Sequence, residues 1–301
     1  MQAVVIAHLG ELAALAAALC WCFNSLAFEA AGKRVGSLAV NYFRIFVAFP
    51  LLTLTAWLVR GAALPLDAAP TAWFWLTISG LLGFVLGDIF LFQAFVEIGA
   101  RISLLFKSMG PPITGLLSFL ILGERISPLG ALGICLVMLG ISLVILSRNP
   151  EEKKVKLNRP LRGVLFAALG ALGDALGMVF SKLGMGSYNP LAATQIRLLA
   201  AFLAFTVIIT LRKKWPEMAA AVRDPQALRF IALGAILGPF LGVTAALFAL
   251  QHTAAGIVSS LTSLSPVLII PFAILILKEK VLPKEILGAL ISIGGVFLLF
   301  L

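Results

Sequence analysis

The chain has 301 residues, of which 61% are hydrophobic and only 12% charged, with a mean hydropathy of +1.09 and a formal net charge of +10. A soluble domain keeps roughly a quarter of its residues charged so that its surface can face water. This composition therefore excludes a water-solvated globule and leaves lipid as the surroundings of most of the surface.

Apolar stretches lie near 11–31, 38–59, 72–96, 102–122, 128–147, 162–184, 190–212, 229–251, 257–277 and 282–301. Each runs about 20 residues, which at 1.5 Å per residue spans a hydrocarbon core near 30 Å. The expectation is an all-α integral membrane protein of ten transmembrane helices. Connections such as Ala31–Ser37 and Gly123–Ser127 are short, and the longest polar segment, Arg148–Arg162, reads as a charged linker. The first apolar run has no basic region before it, so it reads as a retained span and not a cleaved signal.

The basic residues sit mostly in alternate connections between apolar runs, the placement of a membrane protein, which argues against nucleic acid as a partner. Taking connections alternately, 17 of the 23 Lys and Arg fall on one side and three (Arg60, Arg125 and Lys182) on the other, with Arg44, Lys107 and Arg197 inside spans. The positive-inside rule puts the rich side in the cytoplasm and both chain ends outside. A multi-pass protein of the cell membrane, read as a prokaryotic plasma membrane, is expected. Cys20, Cys22 and Cys135 all sit in apolar runs without metal-ligand spacing, and His8 and His252 do not join them, so no metal or other cofactor is expected.

An internal repeat organises the chain. Shifted by 155, "SMGPPITGLLSFLILGERISPLGALG" falls on "SLSPVLIIPFAILILKEKVLPKEILG", which pairs Pro111 with Pro266, Glu124 with Glu279, Gly133 with Gly288 and Gly140 with Gly295. Upstream, a shift of 153 pairs "LAVNYFR" with "LAATQIR" and Arg44 with Arg197, while Gly83 and Gly87 meet Gly238 and Gly242 at 155. The expected units are residues 1–150 and 151–301, five spans each. Five is odd, so the second unit enters the membrane from the opposite face, an inverted repeat of the kind that builds secondary transporters around a central cavity.

Trp21, Asn24 and Arg44 in the first two spans, and the mid-span proline of the fourth followed by "LGERISPLGALG", resemble the EamA-type branch of the drug/metabolite transporter superfamily. The resemblance covers nearly the whole chain and occurs twice. It implies ten helices, a central cavity, and export or exchange of amino acids or similar metabolites. The second half departs from the first, with Asp174 where Trp21 would stand and Gly177 where Asn24 would stand.

Ionisable side chains at bilayer depth mark the candidate site, because each costs about 2.5–3.5 kcal/mol at a helix centre unless it faces a partner or a wet cavity. Arg44, Asp88, Lys107, Asp174 and Arg197 are such residues. Polar stripes at i, i+3, i+4, i+7 join them: Trp21, Asn24, Ser25 and Phe28; Asp174, Gly177, Met178 and Ser181; Ser259, Thr262, Ser263 and Pro266; with Thr244, Phe248 and Gln251 in the eighth span. Tyr42, two residues before Arg44, completes the expected substrate-binding set. Each arginine either holds an anionic group of the substrate, since a guanidinium matches a carboxylate in two-pronged geometry, or closes a salt bridge, Arg44 with Asp88 or Arg197 with Asp174. Asp88 or Asp174 could also carry a coupling proton. Pro111, Pro112 and Pro266 are expected to kink the fourth and ninth spans and act as hinges. Glycines four apart are expected to mark close helix contacts.

The expected function is a secondary transporter that exports or exchanges a small polar metabolite, an amino acid or organic anion, by alternating access. A flippase for a lipid or lipid-linked substrate is the alternative within transport. An intramembrane enzyme is the alternative outside it, with no catalytic residues converging in the sequence. Partners are the small-molecule substrate and membrane lipid, and oligomeric state stays open.

Overall fold

The structure, a computed structural model, describes residues 8–98, 106–107, 109–147, 161–265, 267–268 and 282–299. Among these the regular elements are all helical: α1 (Leu9–Val35), α2 (Ser37–Arg60), α3 (Pro70–Gly80), a π-helical segment (Leu81–Gly87), α4 (Asp88–Ile98), α5 (Gly110–Leu122), α6 (Pro128–Ser147), α7 (Leu161–Met185), α8 (Pro190–Leu211), α9 (Trp215–Val222), α10 (Pro225–Ala235), a second π segment (Ile236–Gly242), α11 (Val243–His252), α12 (Ala255–Thr262) and α13 (Pro283–Leu299). Ser37–Arg60, Pro70–Leu91, Leu161–Met185, Pro190–Leu211 and Pro225–His252 are long and apolar enough to cross a membrane, and Leu9–Asn24, Gly110–Leu122 and Pro128–Val144 are shorter apolar helices.

Small side chains fill much of the interior, while large apolar ones cover much of the exterior. Ala14, Ala17, Ala18, Ala193 and Ala201 are fully buried, whereas Phe46, Leu58, Leu120 and Phe297 point outward. Lipid gives apolar side chains no reason to hide, so association rests on close packing, and small residues between helices supply it.

The glycine rows set the closest crossings. A Cβ on Gly177 would stand 2.7 Å from the Cα of Gly83, and one on Gly173 2.8 Å from the Cα of Gly87. No side chain fits there, so α7 lies backbone to backbone on the first π segment. The related crossing in the other half has side chains instead: Asn24 Nδ2 lies 2.7 Å from a Cβ on Gly238, and Trp21 packs on Gly242. Ser79 and Ser181, hydrogen-bonded at 2.6 Å, occupy the place that Gly234 and Phe28 take in contact with each other. On α6 and α13, Gly133 meets Gly295 while Gly140 meets Gly288. Position rises along one helix as it falls along the other, so the two run antiparallel. Gly133 thus meets the counterpart of Gly140, and Gly140 the counterpart of Gly133, the exchange expected of two repeats related by a twofold.

Three features depart from the sequence reading. Pro111 and Pro112 do not kink a continuous helix; Met109 forms a turn and the prolines occupy the first turn of α5, where the missing donor would have had no intrahelical acceptor in any case. Pro266 lies outside the described residues. The irregularities fall instead in the π segments, 155 residues apart, at the Gly83/Gly87 and Gly238/Gly242 rows. Finally, the basic connection after α8 contains the helix α9, which buries Met218 and Ala221 at helical spacing.

Contacts sort the connections to two ends. At one, Arg34 Nε donates to Asp224 Oδ2 at 2.8 Å. At the other, Lys182 forms an ion pair with Glu124 and donates to the Thr253 carbonyl at 2.6 Å, and the Thr253 hydroxyl donates to Glu11 at 3.1 Å. Glu11 and Arg34 stand at opposite ends of α1, roughly 35 Å apart at 1.5 Å per residue. These groupings agree with the alternation used to count charges.

Candidate substrate-binding site

The centre of the bundle is a cluster of charge. α2 carries Arg44 seven residues beyond its start, and its guanidinium Nη2 pairs with Asp88, the first residue of α4. Asp88 follows directly on the π segment, which turns it toward α2. Asp174 lies between Gly173 and Gly177, so the backbone docking of α7 carries its carboxylate to Gly87, where a Cβ would be 3.0 Å from Oδ1. Lys107 Nζ reaches Asp174 Oδ2 at 3.3 Å and stands 5.9 Å from the Trp21 ring centroid.

Arg197, on α8, completes the group. Its guanidinium lies 4.7 Å over the Phe84 ring, and Arg44 lies 5.7 Å from the same centroid and 5.5 Å from that of Phe28. Both arginines thus touch one aromatic ring contributed by the first π segment. Electrostatically the five are one set: Lys107 and Asp174 each act on the other and feel Asp88 and Arg44, and Arg197 feels both carboxylates. No carboxylate among the described residues lies within ion-pair distance of Arg197, and its Nε has no hydrogen-bond partner. The arginines are about 7% exposed, whereas the side chains of Lys107 and Asp174 keep 39% and 30% of their surface open. Of the cluster, Lys107 and Asp174 are therefore the members least enclosed by protein.

Of the expected site residues, Trp21, Arg44, Asp88, Lys107, Asp174 and Arg197 come together, with Asn24 beside them against Gly238. The Asn24 Oδ1 and Thr244 Oγ1 atoms are buried without partners. Of the two salt bridges foreseen, Arg44–Asp88 forms, while Asp174 takes Lys107 in place of Arg197. Tyr42 stands apart: it stacks on Phe202 at 5.2 Å and meets Trp215 of α9 edge-on at 5.9 Å. Phe248 packs on His252 with centroids 4.4 Å apart at the far end of α11. Ser259 accepts from Thr114 at 3.2 Å and Ser263 donates to the Ser259 carbonyl at 2.8 Å, a polar seam between α5 and α12. Met178 packs against the apolar core.

Phe84 is the residue the sequence reading missed. Its one signal was position, four before Asp88 and therefore on the same helical side. An open depression of about 490 Å³ lies away from the cluster, lined by Arg60, Asp67, Met185, Tyr188 and Asn189. It contains none of the expected residues.

A family model for EamA-like transporters matches residues 8–146 and again 161–301. The chain belongs to the EamA-like transporter family. It is accordingly a multi-pass protein of the cell membrane and a member of the drug/metabolite transporter superfamily. A protein of Archaeoglobus fulgidus described as an uncharacterized transporter is 26% identical over 292 residues, covering 96% of this chain and 97% of that protein. A solved crystal structure superposes with a TM-score of 0.74, covering 96% of this chain and 94% of the other at 18% identity, a likeness of fold.

Proposed function

We propose that the protein is a secondary transporter of a small polar metabolite, an amino acid or organic anion, and that it works by alternating access. In this reading the chain is ten spans in two inverted units, residues 1–150 and 151–301, with the substrate site between them. The observation that carries it is the convergence of charged side chains from both halves, Arg44, Asp88 and Lys107 with Asp174 and Arg197, of which Lys107 and Asp174 keep part of their surface open. Lipid-facing helices gain nothing from three cations and two carboxylates at that depth, and structural pairing alone would leave neither an unpartnered arginine nor open surface on Lys107 and Asp174. The exchanged glycine contacts support the twofold relation of the units. The polar link among Glu11, Glu124, Lys182 and Thr253 joins both halves at one end, and its breaking would open the chamber to that side.

The test is uptake and counterflow of labelled amino acids and organic anions in proteoliposomes, with wild type compared against Asp174→Asn and Lys107→Met. Saturable exchange that both variants reduce supports the reading. Purified, folded protein that moves none of these solutes, or variants that move them unchanged, would overturn it. Acceleration of fluorescent lipid scrambling in the same vesicles would favour the flippase.

A further inference from the structure

The twofold relation is broken at one informative place. Asp88 and Val243 occupy the same position, each the first residue after a π segment and 155 apart. In the first half Asp88 neutralises Arg44. In the second half the corresponding arginine, Arg197, has buried Val243 at the equivalent position and pairs with no carboxylate among the described residues. Lys107 does not alter the balance, because Asp174 answers it. Among the described side chains the cluster thus carries one more positive charge than negative.

We infer that Arg197 is the anchor for a carboxylate of the substrate, which stands toward Arg197 as Asp88 stands toward Arg44, and that the preferred substrate bears one net negative charge. This rests on the central chamber being the transport site. An Arg 93% out of contact with solvent, stacked on Phe84 and lacking a hydrogen-bond partner at Nε, offers planar paired donors that suit a carboxylate. A zwitterion would bring its own cation and leave the surplus charge in place. A monoanion cancels it, and in a medium of low polarity that difference favours the monoanion. Phe84 and Trp21 give the rest of such a molecule apolar faces to lie against.

The experiment supplies the missing carboxylate from within. Purified wild type, Val243→Asp and Val243→Asn are assayed by thermal shift against sodium acetate, lactate, pyruvate and benzoate, each beside its uncharged amide. Wild type is expected to be stabilised by at least one carboxylate and not by its amide. Val243→Asp is expected to weaken that binding about ten- to hundredfold, as an internal carboxylate occupies Arg197, while the near-isosteric Val243→Asn stays within about threefold of wild type. Should Val243→Asp fail to fold, Arg197→Gln is expected to show the same loss at unchanged thermal stability. Equal binding by all variants, equal loss in Asp and Asn, or no carboxylate that binds wild type would overturn the anchor. Stabilisation by zwitterionic amino acids alone would also overturn it while leaving the carrier reading standing.

Discussion

Arg44 and Arg197 look alike in the sequence, but the structure assigns them opposite energetic roles, which mutation separates. Arg44→Gln leaves Asp88 deprived of its counter-ion in a site where the two side chains are 7% and 15% exposed. Removing one partner of a pair so buried costs about 3–5 kcal/mol, because the remaining charge stays desolvated without compensation. At roughly 2–4 °C per kcal/mol for chains of this order of size, the apparent melting temperature should fall by about 6–20 °C. Asp88→Asn should do the same from the other side. The pair Arg44→Gln/Asp88→Asn should recover much of the loss, since no uncompensated charge is left. Arg197→Gln removes a cation that has no partner, so it should leave stability unchanged or raised. The assay is thermal unfolding of detergent-purified protein for all four variants and wild type, with the Arg44 and Asp88 variants read as a double-mutant cycle. If Arg197→Gln destabilises as much as Arg44→Gln, or if the double variant is no better than the singles, the division into a structural and a free arginine is wrong.

Three further outcomes follow from the packing and the ends. Gly140→Ala would push a methyl to 2.6 Å from the Ser292 backbone nitrogen, whereas Gly294→Ala meets nothing within 4 Å; the first should destabilise by about 1–3 kcal/mol and the second stabilise by up to about 1 kcal/mol, read by thermal unfolding. Lys182→Met leaves the Glu124 carboxylate and the Thr253 carbonyl without their cation and should lower stability by about 1–3 kcal/mol, with faster proteolysis of the 252–254 connection as a second readout. Hydrogen bonds from Arg60 first, and then from Tyr188, hold the Asp67 carboxyl below its ordinary value. A lowered acid pKa means the link is complete above the ordinary carboxylate range and is lost as pH falls through the lowered value. Proteolysis of the 61–69 connection should therefore stay slow to mildly acidic pH and rise below about pH 4, and Asp67→Asn should remove that pH step.

The all-helical build, membrane embedding and the duplicated plan were legible in the chain. They depend on local composition and on spacing: apolar runs long enough for a bilayer, basic residues confined to alternate connections, and glycines and carboxylates that recur at a fixed shift. Pairing was not legible. Arg44 and Arg197 carry the same neighbourhood of sequence, and only the crossing of α7 over the first π segment shows that Asp174 turns to Lys107. Tyr42 was picked for its closeness to Arg44 in sequence and Phe248 for its polar stripe with Thr244 and Gln251, yet α9 drew Tyr42 into an aromatic stack and α11 carried Phe248 toward its end.

What the amino-acid order alone determined was the protein's solvent and its duplication, because hydropathy and repetition act residue by residue and need no partner. What tertiary structure decided was which charge remains unsatisfied. That depends on distances between helices far apart in sequence, set by the glycines that let backbones touch. Val243 is an ordinary apolar residue in the sequence. It becomes informative only once its place beside Arg197's half is matched to that of Asp88.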